Sequence, residues 1–198
     1  DTTQELHAGK NFKDLPGINY EDCQAILTVP YYNIGSDQFW WEPEGFILQQ
    51  SLTMSIQTGL PVTSAMLTRS SRSQTLKQMQ MVTEPYRLPA LLEDLPDERP
   101  FLMMLDQREY EKEKERYAHL LDGASLIYSE GDRLRLYRQP LRAFAERLDQ
   151  KTRRLDRIIR EDTTLIWQGG LATKDSTATF YYESFDQGGA EEIYFGSG

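Results

Sequence analysis

The sequence predicts an α/β fold, built on a mostly parallel, open sheet with helices on both faces. The first observation is the order of its segments: short apolar runs alternate with longer helical ones, giving β-α-β-α-α-β-α-β-β-α. The second is the run at residues 100–106, which is apolar enough to suit a strand buried on both faces. The third is the turn at Glu130-Gly131-Asp132, which predicts an antiparallel hairpin strand at one edge of the sheet.

Five strands are predicted, each from a short apolar or alternating run with turn signals beside it. They cover residues 23–30, 60–67, 100–106, 125–128 and 133–137. The first run is stopped by Pro30, and its brevity favours a buried strand over a helix. The last run alternates charged and apolar residues, which indicates a strand with one face exposed.

Five helices are predicted between and after these strands. They cover residues 44–58, 74–82, 89–95, 108–121 and 140–160. Gly59 and Gly123 follow the first and fourth of them, as expected where a helix ends in a left-handed residue. Ser73 can cap the second helix, and Pro140 suits the first turn of the last.

Three regions follow from these elements. Residues 1–22 are predicted to be a polar lead-in arm, residues 23–160 the α/β domain, and residues 161–198 an extended tail or the start of a β-rich module. The last region has seven acidic residues and one Lys, and it shows no helical period. The start at Asp1 without Met, together with the Gly-Ser-Gly end, indicates a piece of a longer protein.

Composition and charge restrict the classes of function. The 198 residues carry a formal net charge of −9, so the surface as a whole repels polyanions and nucleic acid is not expected as a partner. Cys23 is the only cysteine, and His7 and His119 are the only histidines, so we expect no internal disulfide, no metal site and no cofactor. No apolar run reaches the roughly 20 residues of a membrane helix, so no transmembrane segment is expected within the chain.

The main candidate ligand site lies in the loop after the first strand. Parallel sheets bind ligands beyond the carboxyl ends of their strands, so this loop is the first place to search. The residues expected to contact a ligand here are Tyr31, Tyr32, Asn33, Ser36, Asp37, Trp40 and Trp41. Aromatic faces beside amides, hydroxyls and carboxylates suit a sugar ring, which has apolar faces and a polar rim. The alternative is that the aromatic side chains only cover the end of the sheet.

Three further residues extend the candidate site to the loops after the second and third strands. Arg69 and Arg72 precede a predicted helix N-terminus, where they could bind an anion. Asp106 ends the third strand, where a carboxylate can hold a metal or serve as a base. The alternative in both places is structural, since such side chains also cap the next helix or pair with nearby charges. No nucleophile–base pattern accompanies them, so no residue is predicted to be catalytic.

The stretch from Tyr20 to Ser73 carries a resemblance to a known class of proteins. It rests on Asp22-Cys23-Gln24-Ala25-Ile26-Leu27, Pro30-Tyr31-Tyr32-Asn33-Ile34-Gly35-Ser36 and Gln57-Thr58-Gly59-Leu60-Pro61-Val62. These segments resemble the soluble extracytoplasmic domains of bacterial polytopic membrane glycosyltransferase-like proteins, the class that uses polyprenyl-phosphate sugar donors. The resemblance extends over residues 18–160. In that class the catalytic acid lies in the membrane part, so the resemblance assigns no catalytic residue to this chain.

The resemblance implies a non-catalytic accessory or recognition domain on the extracytoplasmic, periplasmic side of a membrane-anchored protein. Its partner would be a glycan, a lipid-linked sugar or the membrane part of the same protein. Two alternatives stay open. One is a free-standing α/β enzyme acting on a phosphorylated or glycosylated small molecule, and the other is a structural protein-interaction domain. A cytoplasmic location also stays open.

Overall fold

The computed structural model describes residues 10–35, 41, 45–67, 70–83, 88–161, 166–168 and 171–173. The chain divides into two compact units, Asp1–Lys151 and Thr152–Gly198. The division falls within the last long helix, whereas the sequence placed the end of the α/β domain at residue 160.

The first unit contains six strands and the helices that connect them, within the described residues. The strands are β1 (Ala25–Val29), β2 (Asn33–Ile34), β3 (Ala65–Met66), β4 (Phe101–Asp106), β5 (Ser125–Glu130) and β6 (Leu134–Gln139). The helices are α1 (Gly45–Thr58), α2 (Arg72–Thr83), α3 (Gln107–Lys112), α4 (Lys114–Leu121) and the first part of α5 (Leu141–Glu161). Short 3-10 helices cover Tyr20–Asp22 and Ala90–Asp94. The helix predicted over 108–121 is therefore two helices, which meet at Glu113.

The α/β class is confirmed, but the main sheet is mixed rather than mostly parallel. Its four strands lie in the order β1-β4-β6-β5, and β1–β4 is the one parallel pair in it. The sheet is mixed because β5 does not pair directly with β4. The connection through α3 and α4 brings β5 back in the direction of β4 but leaves one position between them. The hairpin then places β6 in that position, antiparallel to both neighbours.

The second predicted strand, residues 60–67, forms only a broken ladder. Two residues, Ala65–Met66, pair in parallel with β2, and a single bridge joins Val62 to Ile26 of β1. At that bridge Ile26 N donates to Pro61 O at 2.7 Å and Thr63 N donates to Ile26 O at 2.9 Å. Because Pro61 has no N–H, the ladder cannot continue towards the amino end of this segment.

Alternating side chains of β4 divide the core of the first unit in two. Phe101, Met103 and Leu105 enter the first core, which α2, α4 and α5 cover. Leu102 and Met104 enter the second core, which α1 covers. The contributions of the covering helices to the first core are Met81, Val82, Tyr117, Leu120, Leu141, Phe144 and Leu148. Helices therefore cover both faces of the sheet, and this is why all six residues of β4 are buried.

Part of the predicted lead-in arm closes the second core. Phe12 is 0% exposed and packs in that core beside residues of α1 and β4. Gln57 of α1 holds the segment with both ends of its amide: its Oε1 accepts from Phe12 N at 2.6 Å, and its Nε2 donates to Lys10 O at 2.9 Å. Leu15, Ile18 and Tyr20 pack against the same core, so the described residues 10–22 are attached to the α/β domain.

The second unit contains the end of α5 and a short antiparallel hairpin, β7 (Ile166–Gln168) and β8 (Leu171–Thr173). Ile166 lies opposite Thr173 in this hairpin, and Gln168 lies opposite Leu171. Most of the β-prone tail, residues 174–198, lies outside the described residues. Among the helices that the structure describes, none combines the length and the apolar character needed to cross a membrane.

Candidate functional site

The candidate site is the edge of the sheet where the parallel strands β1 and β4 end. Val29 and Leu105 are register partners there, so the residues that follow them begin side by side. The chain after β1 passes to α1 over the second core, and the chain after β4 passes to α3, whose Tyr110 enters the first core. Neighbouring strands that continue to opposite faces leave a crevice between their ends, which is where open α/β sheets bind ligands. We call this region the switch edge.

Tyr31 and Tyr32, the first two predicted contact residues, lie on opposite sides of the switch edge. Tyr31 is buried in the first core and Tyr32 in the second. The hydroxyl of Tyr32 lies 2.9 Å from Ser51 Oγ of α1. Burial raises the pKa of both phenols above the usual value of 10, so both stay protonated at neutral pH. Their rings serve as core residues, and this placement agrees with the structural alternative.

Asn33 and Trp41 are joined by a pair of backbone hydrogen bonds. Asn33 N donates to Trp41 O at 3.0 Å, and Trp41 N donates to Asn33 O at 2.9 Å. The Trp41 indole is half-buried and meets the Tyr31 ring edge to face, with 5.7 Å between the ring centroids. The Arg116 guanidinium of α4 lies 5.0 Å from the centroid of the indole. Trp41 is therefore held in place by an aromatic contact and by a cation–π contact.

The remaining predicted residues on loops are only partly described. Ser36, Asp37, Trp40 and Arg69 lie outside the described residues. Arg72 is the first residue of α2 and is partly exposed. Ser71, rather than the predicted Ser73, accepts a hydrogen bond from the backbone near this N-terminus, where Gln74 N lies 3.3 Å from its Oγ.

Asp106 combines two contacts at the end of β4. Its Oδ1 accepts a hydrogen bond from Arg108 N at 3.1 Å, so it caps α3 as the structural alternative expects. Its Oδ2 accepts from Arg133 Nε at 2.9 Å, and the Arg133 guanidinium also lies 3.9 Å from the centroid of the Phe46 ring. Asp106 is completely buried, whereas a third of the Arg133 side chain (33%) is exposed.

Sequence reasoning missed Arg133 because it considered only the loops that follow strands in the chain. Arg133 instead precedes β6, immediately before Leu134, the register partner of Asp106. An antiparallel neighbour begins where β4 ends, so the start of β6 belongs to the same edge as the end of β4. The turn at residues 130–132 was the signal that could have placed Arg133 here.

A further pair of buried hydroxyls lies between β1 and the residues before β3. Thr28 and Ser64 are hydrogen-bonded to each other through their side chains, and Tyr32 N lies 3.5 Å from Ser64 Oγ. Thr28 is completely buried, and Ser64 nearly so. This contact joins the two segments where the backbone ladder is broken.

His119 lies in the last turn of α4 and is 7% exposed. Its Nε2 lies 3.2 Å from the backbone oxygen of Met81, so in the neutral ring this nitrogen donates to α2. Burial lowers the pKa of His119 below its usual 6.5, and the charge of Lys151 acts in the same direction. His119 thus connects two helices over the first core as a neutral imidazole.

Lowering the pH from about 7.5 to about 5 should therefore destabilise the first unit through His119. The unfolded chain takes up a proton near pH 6.5, but the folded chain resists it, so stability is lost as the pH falls below that value. Urea unfolding at a series of pH values should show that the free energy of unfolding falls more steeply with decreasing pH for the native chain than for His119→Gln. His7→Gln, which removes the other histidine, is the control. Equal slopes for the native chain and His119→Gln would contradict the prediction.

The described surface also has an open depression of about 310 Å³ between α2 and the 3-10 helix that follows it. It is lined by Ser73, Gln74, Lys77, Gln78, Leu91 and Asp94. Lys77 and Asp94 form an exposed ion pair across it, with 2.6 Å between Nζ and Oδ2. None of the predicted contact residues belongs to this depression. Among the described residues, no group of three or more His, Cys, Asp or Glu side chains could hold a metal ion.

Comparisons of the chain with protein-family models, with curated proteins and with solved structures found no match.

Proposed function

We propose that the chain is a non-catalytic recognition domain that contacts a glycan or a lipid-linked sugar through the Trp41 side of the switch edge. The observation that supports this most is the placement of Trp41. It lies half-buried at the end of the sheet, with Tyr31 against it and Arg116 beside its ring. Residues 18–160 resemble the extracytoplasmic domains of membrane-anchored glycosyltransferase-like proteins, and this resemblance supports a location in such a protein.

A fixed indole suits this role for two reasons. An indole held in this way can give the apolar C–H surface of a sugar ring a contact that loses little side-chain entropy on binding. The Arg116 side chain beside it donates from Nη1 to Glu113 at 2.7 Å, and its other N–H groups could donate to hydroxyl groups at the rim of the sugar. Apolar walls with a few convergent polar groups are typical of small-ligand sites.

The bonding of the reactive groups favours recognition over catalysis. At the switch edge, both carboxylate oxygens of Asp106 accept hydrogen bonds from neighbouring groups, and the Tyr32 hydroxyl is bonded to Ser51. Thr28 and Ser64 are bonded to each other. A general base or nucleophile must reach its substrate, whereas these groups are buried and hydrogen-bonded within the protein.

We expect a ligand from a panel of glycans and sugar phosphates to raise the melting temperature of the native chain, because binding to the folded state alone stabilises it. Trp41→Ala should weaken the affinity for that ligand by roughly tenfold, the loss that a missing aromatic contact of about 1.4 kcal/mol produces. Isothermal titration of both proteins with the ligand measures this ratio.

The matched control is Trp167→Ala, which removes a tryptophan from β7 in the second unit and should leave the affinity unchanged. Circular dichroism of each variant establishes that it is folded before it is titrated. A ligand that binds Trp41→Ala as tightly as the native chain would contradict the proposed contact surface. If no glycan or sugar phosphate in the panel binds the native chain, the recognition role itself is contradicted.

A further inference from the structure

Arg133 is fixed by two neighbours on the second-core side of the switch edge. Asp106 accepts a hydrogen bond from its Nε at 2.9 Å, and the ring of Phe46 in the first turn of α1 stacks 3.9 Å from its Cζ. The hydrogen bond to Asp106 fixes one edge of the guanidinium, and the stacking on Phe46 fixes its plane. A long, flexible side chain is thereby held in one orientation.

The contacts leave the far end of the guanidinium available. The hydrogen bond to Asp106 uses Nε, and neither terminal nitrogen of Arg133 takes part in a hydrogen bond within the described part of the chain. A third of the side chain (33%) is exposed, although its partner carboxylate is fully buried. The two terminal nitrogens form a planar fork whose spacing matches two oxygens of a carboxylate or phosphate.

A purely structural ion pair does not require this arrangement. The turn before β6 is already attached to the end of β4 by Gln107 N, which donates to Arg133 O at 2.7 Å, and by the exposed pair of Arg108 and Asp132. Burying the Asp106 carboxylate costs desolvation energy that an apolar residue would avoid. Besides capping α3, the buried carboxylate orients Arg133, which resembles the way supporting residues fix a binding side chain.

We propose that Arg133, oriented by Asp106 and Phe46, is an oxyanion-binding residue for a ligand with a phosphate or carboxylate group. The fork of its terminal nitrogens accepts two oxygens of that group, and Asp106 keeps the guanidinium aligned as a positioning residue. This site lies on the second-core side of the switch edge and is independent of the Trp41 contact. Either site can therefore fail its test without affecting the other.

The test is a titration of the full chain with inorganic phosphate, glucose 1-phosphate and acetate at constant ionic strength, followed by NMR chemical shifts. We expect saturable shifts with at least one of the three probes. Arg133→Gln should weaken that binding by roughly tenfold or more, because a charge-assisted bidentate contact is lost. Arg108→Gln, which removes a neighbouring exposed arginine, should leave the binding unchanged.

Arg133→Lys keeps the test decisive if Arg133→Gln fails to fold. A lysine can pair with Asp106 and preserve the fold, but it has no planar fork, so we again expect roughly tenfold weaker binding. Stronger binding of the phosphates than of acetate would assign a phosphate ligand, and the reverse would assign a carboxylate. Vesicles of phosphatidylcholine with and without phosphatidic acid then separate a membrane-bound phosphate from a free one. The proposal is overturned if none of the three soluble probes binds, or if Arg133→Lys binds as well as the native chain.

Discussion

Replacing Gly35 by alanine should cost the first unit about 3 kcal/mol of folding free energy or more. Gly35 has a φ of +117°, a backbone conformation that residues with a Cβ rarely adopt. An added Cβ would also lie 2.9 Å from the carbonyl carbon of Leu67 and closer still to its oxygen. Both neighbours are backbone atoms, so no side chain can rotate to relieve the contact.

The same change should disturb the switch edge. Leu67 N donates to Ile34 O at 3.1 Å, and Ser70 N donates to Gly35 O at 2.8 Å, so moving Leu67 strains the pairing of β2 with β3. β2 contains Asn33, whose backbone holds Trp41. We therefore expect Gly35→Ala to weaken ligand binding at Trp41 as well as stability.

Urea unfolding followed by circular dichroism measures the loss of stability, and Gly45→Ala is the matched control. Gly45 is the first residue of α1, its φ is not positive, and an added Cβ would meet no atom within 4 Å among the described residues beyond its chain neighbours and its own helix backbone. Alanine there should be neutral or slightly stabilising, since it restricts the unfolded chain. If the two substitutions had equal effects, the strain assigned to Gly35 would be refuted.

Phe12→Ala should destabilise the first unit by about 3–5 kcal/mol, the range for a large side chain removed from a packed core. Phe12 is completely buried against Ile26, Leu102 and other residues of the second core. The substitution leaves a cavity that Gln57 cannot fill, because its amide remains bonded to the backbone of residues 10 and 12.

The control for Phe12→Ala is Leu126→Ala on the edge strand β5. Leu126 is 53% exposed, so its truncation should change the free energy of unfolding by no more than about 0.5 kcal/mol. Urea unfolding of both variants gives the comparison. A loss below about 1 kcal/mol for Phe12→Ala would mean that residues 10–22 do not belong to the cooperative fold.

Local patterns account for the elements that the sequence predicted well. The apolar run at residues 100–106 became β4, because a strand buried on both faces is apolar throughout. The alternation at residues 133–137 became β6, because a strand buried mainly on one face alternates apolar and polar residues. Gly59 and Gly123 marked helix ends, since both have a positive φ in the structure. The break of the charged helix at Glu113 had no such signal.

The candidate site was predicted less completely, for a different reason. The sequence predicts a ligand site at the edge where β1 and β4 end, because any parallel strand directs its following loop there. It could not distinguish a core side chain from a surface one among adjacent aromatic residues. Tyr31 and Tyr32 enter the two cores, whereas Trp41 remains half-buried.

By itself, the sequence determined the α/β class and the positions of the main strands and helices, and it predicts the edge where a ligand site should lie. These depend on hydrophobic periodicity and turn residues, which act over a few neighbouring positions. Only the tertiary structure decided that β6 lies between β4 and β5, that Phe12 completes the second core, and that Arg133 meets Asp106. Each of these contacts joins residues far apart in the chain, and its free energy comes from packing and pairing that exist only once the sheet has formed.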